Sequence, residues 1–264
     1  MSHPFFTYHG PISINCIGKL LKINIDNPTD SIIEDVRDLS NADKNSLTFL
    51  HSNNYIEIAK STKASFCVTT DLLKDNLPNN CKPIIVENVL LSISMITQKL
   101  YPSSIEDEFD KKVKNIEKIN LNNNNIEYGK NVLVGENVTI GSNCLIGHNS
   151  IIEKNVKIGN NCKIGSNTII RNSIIKDNVT VLDNCVIGKK GFGFFPKNSK
   201  NLRYPHIGIV IINENCEIGC GATIDRGSMS NTEIGKNTFL DNQVHIAHNV
   251  KIGENTIIAG QVGI

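Results

Sequence analysis

From residue 128 onward, large apolar residues return every six positions. The units begin at Tyr128, Val134, Ile140, Ile146, Ile152, Ile158, Ile164 and Ile170. The phase slips by one residue to Ile175 and continues at Val181 and Ile187. It resumes at Ile212, Ile218 and Ile224, then slips again and runs through Ile234, Leu240, Ile246, Ile252 and Ile258. Of these 19 units, ten carry Gly at position 2 and thirteen carry Asn at position 4. Position 5 is usually small or short, as at Val132, Cys144, Ser150, Cys162, Thr168, Cys185, Ala222 and Thr238. A period of six fits neither the helical repeat of about 3.6 nor simple two-residue alternation. It predicts a short strand followed by a tight corner, with positions 1 and 5 pointing inward. Gly and Asn suit such corners because they tolerate φ > 0. Coils then stack about 4.8 Å apart, the ordinary strand spacing. No Pro falls between Pro102 and Pro196, as an uninterrupted backbone ladder requires. Residues 128–264 therefore read as a hexapeptide-repeat parallel β-helix.

The preceding residues follow a different pattern. Ala64–Thr70 and Lys82–Val86 are β-rich runs bounded by turn residues. Val89, Leu90, Ile93, Ile96 and Leu100 share one face of a helix that Asn88 would cap. Residues 1–110 are expected to form a small α/β domain. Residues 111–127, with the Asn122–Asn125 run, are expected to be a linker.

Composition agrees with a narrow, one-dimensional core: aromatics are 5% and Trp is absent. Asn and Ile number 37 and 40 in 264 residues, and the repeat accounts for much of that excess. Lys plus Arg is 27 against 26 for Asp plus Glu, so nothing electrostatic points to nucleic acid or a polybasic membrane surface. No basic start with an apolar run marks a signal peptide, and no segment reaches the roughly 18 apolar residues of a membrane span. The expectation is a cytoplasmic protein without stable membrane insertion. The eight Cys contain no C-x-x-C pair, and Cys144, Cys162, Cys185 and Cys216 occupy inward position 5. They read as core filler rather than metal ligands.

Two insertions break the repeat. The longer, about 189–208, contains Gly191-Phe192-Gly193-Phe194-Phe195-Pro196 and reads as a flap over a ligand or a neighbouring subunit. The shorter, Gly227–Glu233, follows Ile224-Asp225-Arg226. Among the histidines, His148 sits in an ordinary corner, His206 in the long loop, and His245-x-x-His248 resembles a metal pair without a third ligand. His248 takes position 3 and should point outward. Asp241, seven residues earlier, could hold its tautomer and raise its basicity, or the two could be unrelated surface groups.

Ile224-Asp225-Arg226-Gly227, the segment from Leu240 through His248 to Val250, the Gly191–Phe194 loop and Leu47–Tyr55 together resemble the UDP-3-O-(3-hydroxyacyl)glucosamine N-acyltransferase family of hexapeptide acyltransferases. The resemblance covers both regions and implies a left-handed parallel β-helix behind a uridine-binding α/β domain. It implies transfer of a 3-hydroxyacyl chain from acyl carrier protein to the 2-amine of a UDP-3-O-acyl-glucosamine, in lipid A biosynthesis. His248 would be the general base and Asp241 would orient it. Phe49 and Tyr55 would pack on uracil with Ser52 nearby, where several members carry Asn. Asn242, Gln243, His245, Phe192 and Phe194 complete the implied substrate-binding set. The enzymes are homotrimers with sites in grooves between neighbouring helices. The resemblance implies no metal and no cofactor beyond the phosphopantetheine arm of the carrier protein.

Family members continue for further coils and C-terminal helices, whereas this chain stops at Ile264, the first residue of a twentieth unit. The expectation is a truncated solenoid whose open end exposes a strand edge, with weak activity and poor association. The related O-acyltransferase, a sugar N-acetyltransferase using acetyl-CoA, a zinc-dependent γ-type carbonic anhydrase and a non-catalytic scaffold remain as alternatives. The 110 residues before the repeat count against the first.

Overall fold

A computed structural model describes residues 4–25, 31–119, 125–196 and 201–264. The chain divides into two compact units, one of residues 1–105 and 193–205, the other of 106–192 and 206–264.

The first unit is built on a four-stranded parallel sheet. Its strands, in spatial order, are Asp35–Val36, Ser46–Leu50, Phe66–Thr69 and Lys82–Ile85, with Phe49 opposite Val68 and Val68 opposite Ile84. The two predicted β-rich runs are the last two of these strands. The predicted helix is Val89–Leu100, and Asn88 caps it by accepting from the amide of Leu91 at 3.0 Å. Its buried residues Ile93, Ile96 and Leu100 lie where the periodicity placed them. A second helix, Ile14–Leu21, was not predicted. It is capped by Ser13 and buries Ile14 and Ile17. Leu39, Leu50, Ala59, Ala64, Cys67 and Cys81 form a core cluster around the sheet. The flap contributes an antiparallel pair, Phe194–Phe195 with Leu202–Arg203.

The second unit is the solenoid. Its strands form three sheets of six, seven and seven, and corresponding residues of successive coils pair in parallel, as Ile146 does with Ile164 and Val134 with Ile152. Position 1 is buried from Val134 to Ile246, and position 5 is buried at Val132, Cys144, Ser150, Cys162, Cys185, Ala222 and Thr238. Where position 5 is Cys, Ser or Thr, the short side chain also carries a donor. Ser150 Oγ donates to the Gly165 carbonyl at 2.7 Å, Thr238 Oγ1 to Gly253 at 3.0 Å and Cys185 Sγ to Gly219 at 3.1 Å. Cys, Ser and Thr thus give corner carbonyls a side-chain donor from inside the coil.

All thirteen position-4 asparagines have φ between 56° and 69°, as do Gln243, Gln261 and Gly221, which take the same place. Their side chains form ladders up the corners: Asn131 donates to Asn149 at 3.1 Å and Asn149 to Asn167 at 3.3 Å. The position-2 glycines have a different cause from the one expected. Apart from Gly188 they do not need positive φ. At Gly141 and Gly235 an added Cβ would come within 2.6 Å of the backbone of the next coil. Gly is there for close stacking, and Asn for the left-handed turn.

The linker expected over 111–127 differs from the structure. Lys114–Asn115 pairs antiparallel with Leu133–Val134, and Ile116 is buried. Residues 106–119 therefore belong to the solenoid unit, tied to its first coil by that pairing and by the Ile116 N–H donating to the Val132 carbonyl at 3.0 Å. Asn122–Asn124 of the expected boundary lie outside the described residues. Among the described residues no helix is long and apolar enough to cross a membrane.

Candidate active site

In the first unit, the strand Ser46–Leu50 leads into a single 3-10 turn, Asn53–Tyr55. Ser52 starts that turn by accepting from the Asn54 amide, so its hydroxyl serves the backbone. Three rings line up around it. Phe49 lies 5.9 Å from His51, and His51 lies 5.2 Å from Tyr55, centroid to centroid. Burial pushes the His51 imidazole toward its neutral form. The row runs from Phe49, near the end of the strand Ser46–Leu50, to the residues just beyond its carboxyl end, where open α/β sheets bind ligands. Phe49 and Tyr55 thus each pack on the ring of His51, which sequence reasoning passed over. An aromatic residue two before and four after it was the available signal.

In the second unit, His248 follows the strand His245–Ile246 and is half-buried at a corner. The ring of His206 meets it edge-on at 4.9 Å. A Cβ on Gly191 would come 2.7 Å from His248 Cβ and 2.8 Å from His206 Nε2, so only Gly allows this approach. Nδ1 of His248 lies 2.8 Å from Asn249 Oδ1. Asp225, on the strand Thr223–Arg226, has its carboxyl pushed up by burial, against the pull of nearby His245, His248 and Arg226.

Beneath these groups runs a buried ionic chain. Arg226, 1% exposed, donates from Nε to the His206 carbonyl at 3.1 Å and from Nη1 to Asp107 at 3.1 Å. Asp107 also meets Arg171 at 3.5 Å, and Arg171 pairs with Glu153 at 2.9 Å. Arg226 thereby fixes the backbone of the residue whose ring packs on His248. Arg226 is position 3 of its unit, which the repeat places outward, so the sequence carried no direct signal for this network.

The structure does not bring Asp241 to His248. The carboxylate is exposed and accepts from the Gly260 amide at 3.0 Å. It lies in the sheet of Phe239–Leu240, whereas His248 follows a strand of the next sheet, so one corner separates them. Asn242 and Gln243 are also engaged between coils, with Cys220 N at 2.8 Å and Gln261 Nε2 at 3.0 Å. His245 Nδ1 meets Thr223 Oγ1 at 2.8 Å. Phe192 is 74% exposed in the solenoid unit, and Phe194 belongs to the flap strands of the first unit. Among the described residues no group of three or more His, Cys, Asp or Glu side chains is placed to hold a metal.

Residues 30–99 match the family model described as UDP-3-O-(3-hydroxymyristoyl) glucosamine N-acyltransferase, LpxD. Residues 137–172 and 231–264 match the bacterial transferase hexapeptide model. A UDP-3-O-acylglucosamine N-acyltransferase 2 of Legionella pneumophila (strain Paris) is 44% identical over 226 residues, covering 86% of this chain and 66% of its own. The chain belongs to the UDP-3-O-acylglucosamine N-acyltransferase family. Other relatives of that name match over a shorter stretch. Those of Desulfosudis oleivorans and Dechloromonas aromatica are 52% and 49% identical over 79 residues, 30% of this chain and 23% of theirs. The chain thus spans well under two thirds of the length of those two relatives in the matched region. The match to the N-acyltransferase model includes Phe49–Tyr55, and the match to the hexapeptide model includes residues 241–248.

Proposed function

We propose that this N-acyltransferase family member moves a 3-hydroxyacyl chain from the thioester of acyl carrier protein to the 2-amine of a UDP-3-O-acyl-glucosamine. The observation that carries this reading is His248, an imidazole presented at a solenoid corner and immobilised on three sides by Gly191, His206 and Asn249. As the amine nitrogen attacks the thioester carbonyl, its proton passes to His248. The tetrahedral intermediate collapses with cleavage of the C–S bond, and His248 returns the proton to the departing thiolate. The ring row Phe49–His51–Tyr55 is the reading's site for the uracil base, since flat rings stack on a planar heterocycle. A homotrimer completes the reading, as expected from the resemblance.

The test is His248→Ala in the full-length protein, assayed with a defined hydroxyacyl carrier protein. A positioned base supplies roughly 10²–10⁴-fold, so kcat should fall by that factor with little change in KM. Wild-type turnover by the variant would overturn the general-base role. Acetyl-CoA serving as well as the carrier protein would overturn the donor.

A further inference from the structure

The ring of His248 has two nitrogens, and only a bare one can take a proton. Neutral imidazole in water prefers its proton on Nε2, so the environment must choose otherwise if Nε2 is to be the base. Here the choice is made by Asn249. Its amide orientation is settled by partners that have no choice of role. The Ser228 backbone N–H, which can only donate, reaches Asn249 Oδ1 at 3.0 Å. The Ser230 carbonyl, which can only accept, receives from Asn249 Nδ2 at 3.3 Å. The Ser228 and Ser230 hydroxyls add contacts at 2.8 and 2.6 Å, and the Asn249 backbone N–H donates to Thr232 Oγ1 at 2.9 Å. Oδ1 is therefore an acceptor fixed against His248 Nδ1 at 2.8 Å.

An internal control sits thirteen units earlier in the same repeat. His148 and Asn149 occupy the same positions 3 and 4 of their unit as His248 and Asn249 do. There Asn149 spends its side chain on the ladder, accepting from Asn131 and donating to Asn167. Nδ1 of His148 instead accepts from the Lys130 backbone N–H at 2.7 Å, which puts the proton of the neutral ring on Nε2. The same dipeptide thus carries opposite tautomers. What differs is the short insertion Gly227–Glu233, whose Ser228 and Ser230 take Asn249 out of the ladder. Gly227 permits that turn, since a Cβ there would collide with the Ser230 carbonyl.

We propose that Asn249, seated in the Ser228–Ser230 loop, is the positioning residue that holds His248 with its proton on Nδ1 and its lone pair on Nε2. The assignment rests on the general-base reading for its catalytic consequence, but the tautomer itself is measurable without activity. Long-range ¹H–¹⁵N correlation on the ¹⁵N-histidine-labelled full-length protein should show His248 protonated at Nδ1 and bare at Nε2, with His148 reversed. Asn249→Gly keeps the left-handed backbone and removes the side chain. It should return His248 to the Nε2–H form and lower kcat at least about tenfold, less than the roughly 10²–10⁴-fold of losing the base, with KM unchanged. Asn249→Asp keeps an acceptor on Nδ1 and should retain that tautomer and most of kcat. A wild-type spectrum with Nδ1 of His248 unprotonated would overturn the assignment even if Asn249→Gly failed to fold. So would Asn249→Gly with unchanged kcat alongside an inactive His248→Ala. An active His248→Ala with the predicted spectrum would instead sink the general-base reading and leave the tautomer assignment standing.

Discussion

Replacing Gly191 by Ala tests whether the corner around His248 is as tightly specified as its geometry implies. Gly191 has no left-handed backbone to lose, so the substitution introduces a methyl group and nothing else. That methyl carbon would stand 2.5 Å from His248 Cδ2, 2.7 Å from its Cβ and 2.8 Å from His206 Nε2, where ordinary contact begins at 3.4 Å. The shortfall is 0.6 to 0.9 Å, by subtraction of those distances. His206 is 1% exposed and has its carbonyl held by Arg226, so the half-buried His248 must give way. A displacement of about 1 Å at a catalytic group can cost about 10²-fold in rate, and overpacking costs about 1–3 kcal/mol of stability. The expected outcome is a kcat reduced by one to two orders of magnitude, roughly, with KM for the sugar nucleotide little changed. Steady-state acyl transfer with hydroxyacyl carrier protein measures the first and thermal unfolding the second. A folded Gly191→Ala protein with kcat within about twofold of wild type would refute the close-approach argument.

Two further substitutions probe the groups behind this corner. Arg226→Met should lower stability by about 3–5 kcal/mol, since it strips a buried partner from Asp107, and adding Asp107→Asn should recover part of the loss in thermal or denaturant unfolding; equal stability of all three proteins would show that the pair is not coupled. Burial raises the Asp225 carboxyl above its unfolded value, so the native state holds the proton more tightly and stability falls as pH rises through the native value. Asp225→Asn should therefore be more stable than wild type at neutral pH, and the gap should close toward about pH 3, below the unfolded carboxylate value of roughly 3.9. A gap that widens on acidification would reverse the sign.

The solenoid was legible because its cause is local and repeated. Each Asn at position 4 answers one backbone need, φ near 60°, and each inward Ile answers one packing need, so a count of residues by phase recovers both. The helix Val89–Leu100 was legible for the same reason: its cap and its buried stripe lie within one window. The helix Ile14–Leu21 escaped because its eight residues are barely two turns, and the antiparallel strand Lys114–Asn115 escaped because two residues carry no period at all. Ser52 shows a different limit, since its hydroxyl caps a turn and only coordinates reveal that engagement.

The exchange of Asp241 for Asn249 as the partner of His248 follows from the arithmetic of the coil. In a three-sheet solenoid, residues about eighteen apart stack, and residues in the same corner touch. A separation of seven crosses one corner and lands on another face. Asp241 therefore meets Gly260, nineteen residues on, rather than His248. Insertions alter this arithmetic: Thr223 pairs with His245 across twenty-two residues, because the Gly227–Glu233 loop lies between them. The residues that hold His248 and Asn249 come from the places where the period fails: Gly191 and His206 lie in the long insertion, and Ser228 and Ser230 in the short one. Regular corners carry side-chain ladders such as the one through Asn131, Asn149 and Asn167. The corner at His248 is excused from that ladder, because a loop of a few residues captures its asparagine.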